Sequence, residues 1–142
     1  MARKRITLQS FTERYLVERI GSKITLSDVA NEAIERWMTC EREAKINLAG
    51  VFSKNELAAF LGMGDDIIEL SSPIDFIHEF ENACDAYDFE KEYDIDKETV
   101  IEKLKDLSSV ELLVLWDWEL LYSRLLDKGE DIGRNEYISR IN

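Results

Sequence analysis

The sequence predicts a mainly α fold: a short N-terminal strand, then about six to seven helices in a compact helical bundle. Three observations predict it. Helix breakers are scarce, with one Pro and six Gly in 142 residues, while strong helix formers abound. Apolar residues recur at three- and four-residue steps along most of the chain. Helix start signals stand before several of the apolar runs. The 45% apolar content supplies a core, since a chain of this length hides roughly two-thirds of its unfolded surface.

Residues 4–10 alternate, with Ile6 and Leu8 on one face and Arg5, Thr7 and Gln9 on the other. That pattern reads as a short half-buried strand. Phe11, Tyr15, Leu16 and Ile20 then switch to a helical stripe, and Gly21 ends it. "TLSDVANEAIERWM" opens a second helix, capped by Thr25 or Ser27, with Asp28 in the first turn where the helix dipole favours an anion. Val29, Ala33, Trp37 and Cys40 lie along one side; Ile34 and Met38 widen the stripe. This helix is expected to run to about Leu48.

"SKNE" (53–56) is a capping box ahead of Leu57, Ala58, Phe60 and Leu61. "GMGDD" breaks that short helix. In "SSPID", Ser72 reads as a cap and Pro73 as the first helical residue. Phe76, Phe80, Cys84 and Tyr87 follow at near-helical spacing. Asp96 opens a helix carrying Val100, Ile101 and Leu104. "SSVE" (108–111) is a further capping box. It leads into Leu112–Leu126, apolar nearly all round and therefore expected as the central buried helix. Gly129 stops it, and a short helix is expected over Asn135–Ile141. The weakest joints lie near residue 50 and around 62–72. The expected division is a head over 1–48, with a long second helix, and an acidic helical domain over 49–142.

Charge separates these parts. The formal net charge is -12. Residues 1–24 carry six cations and two anions, so +4; the rest carries 12 cations and 28 anions, so -16. Such asymmetry speaks of partners, not of fold. The head is drawn to polyanions, the body to basic protein surfaces.

Most catalytic chemistry finds no support. His78 is the only histidine, which argues against zinc centres and histidine triads. Asp75 and Glu81 flank it on its helix, and it reads as a partly exposed helix residue. "DIDKE" (94–98) spaces Asp94, Asp96 and Glu98 like the start of a calcium loop, but Thr99 stands where the turn needs Gly and Lys105 where a bidentate Glu is needed. The acids of "GMGDD" would repel phosphate. Cys40 and Cys84 form no disulfide or metal framework and read as reduced core residues of a cytoplasmic protein. Leu112–Trp116, as long as any wholly apolar run in the chain, is far short of the ~20 residues that span a bilayer. No cofactor and no membrane attachment are expected. Trp116 and Trp118, two apart, cannot share one helix face; Trp116 is expected in the core, Trp118 at its edge or toward a partner.

Taken together, "RITLQS", "FTERYLVERIG" and "TLSDVANEAIERWM" place a strand, a helix, a Gly turn and a capped helix in order. This stretch resembles the ribbon-helix-helix family of DNA-binding domains. The resemblance implies a homodimer whose paired strands enter the DNA major groove, with the second helices' N-termini at phosphates. The stretch lacks the Pro that often follows the strand in that family, and its first helix is short. The chemistry of the strand agrees with the family's mode: a lone strand needs a ladder partner, and a two-fold copy is the simplest. Arg5, Thr7 and Gln9 then face base edges. Arg3, Lys4 and Lys23 neutralise phosphates.

The body, through "FSKNEL" and "YDIDKETVIEKLKDLSSVELLVLWDW", resembles small acidic helical proteins of bacteria and their phages, a likeness that implies no activity. Two functional expectations follow for a non-enzymatic regulatory protein. One is a dimeric DNA-binding repressor or antitoxin with a partner-binding acidic body. The alternative is an acidic inhibitor, a DNA mimic from a phage or mobile element that occupies a basic groove on a host enzyme. The alternative for residues 4–38 is a tail strand or basic arm, with both helices simply packed on the acidic body.

Overall fold

Phe60 sets the architecture. Its fully buried ring meets Phe52, Phe76 and Phe80 edge-on, with centroids at 5.1, 5.6 and 5.3 Å. Edge-to-face contacts of this kind add to the burial of large rings. In this computed structural model, described over residues 26–63, 72–130 and 132–141 together with Arg14 and Glu18, every regular element is a helix. The predicted strand over 4–10, most of the helix over 11–20, the Gly21 stop and the Thr25 cap lie outside the described residues.

Seven helices are described: α1 (Leu26–Val51), α2 (Lys54–Leu61), α3 (Asp75–Ala86), α4 (Phe89–Tyr93), α5 (Lys97–Asp106), α6 (Ser109–Asp127) and α7 (Arg134–Ser139). The chain divides into two units, Met1–Thr39 and Cys40–Asn142.

In the first unit, the described part of α1 leaves its apolar residues open. Ile34 and Met38 are more than half exposed, Ala33 is exposed, and Val29 and Trp37 are half-buried. The stripe read from the sequence is therefore not a buried one. Asp28 occupies the first turn as expected, while Ser27 lies inside the helix and does not cap it. The helix also runs to Val51, one turn past Leu48.

The second unit is organised by the short helix α2, which packs against α4, α6 and α7. Its start follows the sequence signal: Ser53 accepts from Glu56 N, and the Glu56 carboxylate accepts from Ser53 N at 2.8 Å. Leu57, Ala59, Phe60 and Leu61 are all buried. Thus the central element is α2, not the longer α6. A second capping box, Ser108 with Glu111, opens α6, and Asp96 caps α5 by accepting from Thr99 N. At the far end of α6, Gly129 adopts φ +74. Its N–H reaches Leu126 O and that of Glu130 reaches Leu125 O, closing the helix as a Gly in left-handed conformation does.

Four expectations are corrected. Helix α3 starts at Asp75, with no side-chain cap at Ile74, rather than at Ser72–Pro73. Ser72 instead spends its hydroxyl on Ile74 N, and Asp75 accepts from Ser72 N, which makes a turn of the segment. Trp118 is buried at 3% exposure while Trp116 is half-buried, the reverse of the expected roles. Of the two free cysteines, Cys40 is exposed and Cys84 half-buried, so neither belongs to the core. Along α6, Leu121 and Leu126 are exposed, so this helix is not buried all round.

Candidate functional site

Two features of the second unit could meet a partner. The first is an acidic ridge. Helix α3 packs against both α4 and α5, which keeps the three helices in one region. Between residues 81 and 98 all eight carboxylates are exposed, against two lysines. One of these, Lys97, is already engaged: its Nζ donates to Asp85 Oδ1 at 2.7 Å. That bond holds the ammonium above its usual range. The local field also registers on Cys84. Burial pushes its thiol up to about 11, and Glu90, Asp85 and Glu81 add to the rise against the opposing Lys97. The rise disfavours the thiolate, which is the reactive form.

The ridge contains the calcium-like stretch, and the structure shows what it does instead. Asp94 ends α4 in left-handed conformation at φ 53, a position Asp tolerates better than most residues. Asp96 is spent on the α5 cap. Glu90 accepts from Lys97 N. Among the described residues, no group of three or more His, Cys, Asp or Glu is placed to hold a metal ion. His78 is exposed on α3.

The second feature is a groove of about 240 Å³ lined by Glu41 and Lys45 of α1, by Val114, Asp117, Trp118, Leu121 and Leu125 of α6, by Tyr137 of α7, and by Arg140 just beyond it. Tyr137 stacks on Trp118 with centroids 5.3 Å apart, and its hydroxyl donates to Trp118 O at 2.5 Å. Desolvation, reinforced by Asp117, keeps that phenol well above its ordinary range, so it remains a donor. Glu41 and Lys45 pair with each other at 2.9 Å. Asp117 is different: burial first, then Glu41, raise its carboxyl, against Arg124 and Lys45.

The residues expected to read DNA, Arg3, Lys4, Arg5, Thr7, Gln9 and Lys23, all lie outside the described residues. The groove residues were not anticipated. Their one signal in the sequence is the run Val114, Trp118, Leu121, Leu125 at alternating four- and three-residue steps, which an apolar helix hides. No helix among the described residues is long and apolar enough to cross a membrane. No family model, curated protein or solved structure matches the chain.

Proposed function

We propose that the protein is a non-enzymatic regulatory binding protein whose acidic helical body engages a basic surface on a protein partner. The exposed carboxylate ridge of residues 81–98 carries this reading. Residues 40–142 hold 11 cations and 25 anions, a formal -14. Such a field speeds encounter with a cationic partner and repels nucleic acid and acidic surfaces. In the inhibitor form of the reading, the ridge occupies a basic nucleic-acid groove on a host enzyme. In the repressor or antitoxin form, the same body serves a dimer whose N-terminal head holds DNA. The second form rests on the +4 charge of residues 1–24 and on the alternating pattern around Arg5.

Titration of fluorescent poly-lysine into the full chain tests the body. Binding should weaken steeply with salt, survive deletion of residues 1–10, and weaken when Glu81, Glu92 and Glu98 are together changed to Gln. Binding that persists at ~1 M salt, where the Debye length falls to about 3 Å, rejects an electrostatic interface. Binding unchanged by the triple neutralisation rejects the ridge.

A further inference from the structure

The groove extends the partner-binding role proposed above and depends on it. Val114, Trp118, Leu121 and Leu125 share one face of α6. Tyr137 covers this stripe at Trp118, which is 3% exposed, but Leu121 is left 42% exposed. The charges around it are unevenly matched. Glu41 has Lys45, and Arg140 reaches Glu136 at 3.9 Å. No hydrogen bond or ion pair joins the Asp117 carboxylate to another described residue. Asp117 is therefore a half-buried anion beside an open apolar stripe, on a body whose formal charge is -14. At about 240 Å³ the groove falls below the roughly 300–1,000 Å³ of sites that enclose a small-molecule ligand. It suits one or two side chains projected from a larger body.

We propose that this groove seats the apolar face of a basic amphipathic helix from a protein partner, one of whose Arg or Lys residues meets Asp117. Helices dock in this manner by presenting apolar anchors at three- and four-residue steps. The α6 stripe supplies the matching apolar surface beside Leu121. A cation brought to Asp117 forms an ion pair that no other described residue makes with it, where Arg124 and Lys45 act only at longer range, and the negative field of the body draws the helix in. An acidic helix gains the apolar contact but meets the repulsion of the body, and a neutral one gains the contact without the attraction. The partner's charge is thus fixed by the same field that selects it.

Two labelled peptides of identical Leu, Lys and Ala content separate the groove from the ridge. One gathers Leu on a single helical face beside Lys; the other disperses the same residues around the helix. Anisotropy with the full chain at about 0.15 M salt should show the sided peptide bound at least about tenfold tighter, a difference of ~1.4 kcal/mol. Leu121→Glu and Asp117→Asn should each remove most of that difference. Both positions are partly exposed, and circular dichroism checks that each variant folds. Equal binding of the two peptides overturns the groove and leaves the ridge reading standing. Failure of both peptides at ~50 mM salt overturns both readings. If Leu121→Glu halves the protein's own solution mass and leaves peptide binding unchanged, a second copy fills the groove and the proposal falls.

Discussion

Lys103 Nζ donates to Glu56 Oε1 at 2.7 Å, and that same oxygen accepts from Ser53 N at 2.8 Å. One buried carboxylate therefore closes the start of α2 and ties it to α5. Glu56 is 6% exposed, so its charge needs both donors. Glu56→Ala should cost about 2 kcal/mol, since it removes a cap and an ion-pair partner together. Glu56→Gln keeps the cap geometry and should cost less. Lys103→Ala leaves the carboxylate with its backbone donor and should cost about 1 kcal/mol. Urea midpoints rank the three; a Lys103→Ala loss larger than that of Glu56→Ala contradicts the shared-oxygen account.

Phe60→Ala should destabilise by about 3–5 kcal/mol, the range for emptying a large buried aromatic site. Phe60→Leu keeps most of the volume but loses three edge contacts, so it should fall by a smaller amount. Thermal unfolding of the two variants measures the ordering. Near-wild-type stability of Phe60→Ala would remove α2 from the centre of the fold.

Gly62 has an ordinary negative φ of -76, yet a Cβ there would lie 2.8 Å from Tyr93 Cζ. The constraint is steric, not conformational. Gly62→Ala must push Tyr93 away from Phe89, whose ring it meets edge-on at 5.2 Å, and from the Arg134 guanidinium at 5.6 Å. A loss of about 1–3 kcal/mol is expected, as for overpacked sites. Against a Tyr93→Ala background the same change should cost little, and the double-mutant cycle reads the coupling.

Asp117 predicts a pH effect of definite sign. Its carboxyl is raised above 3.8 in the folded protein, so folding favours the protonated form. The ionised group therefore subtracts stability above the folded value, and this deficit disappears as pH falls below 3.8. Asp117→Asn should raise the Tm at pH 7 and lose that advantage below pH 3.8. Melting curves across this interval decide it; a lower Tm at pH 7 has the wrong sign. Glu111 acts in the opposite sense. Desolvation works to raise it, but hydrogen bonds from Ser108 and Asn47 prevail and hold it low. Its contribution is present above its ordinary value and is lost in acid.

For the head, Arg5→Ala should cost roughly 1–3 kcal/mol of specific DNA affinity, as for loss of a base-edge contact. Lys4→Ala should lower affinity for all sequences and flatten the salt slope. Filter retention of duplex DNA by the full chain measures both. No retention at ~50 mM salt sinks the DNA-binding form.

Much of the helix map was legible because its signals are local. Ser53 with Glu56, Ser108 with Glu111, Asp96 and Gly129 each announce a boundary through a bond made within a few residues. Ser72 shows the limit: a hydroxyl before Pro also suits a turn, and here the Asp75 carboxylate closes one. The faces of α6 could not be ranked, since a helix apolar on nearly every side conceals which side is covered; hence the exchange of Trp116 and Trp118. The groove was illegible for a different reason. Its parts come from residues 41–45, 114–125 and 137–140, and only tertiary packing sets them side by side.

Phe60 and the three rings gathered around it all come from residues 52–80. A nascent chain thus holds every member of this cluster before α6 and α7 have been synthesised. Contacts between such near neighbours close short loops, which form fast. The nucleus of the acidic unit can therefore assemble during translation, and the later, more apolar α6 meets a surface ready to receive it instead of waiting exposed to aggregation.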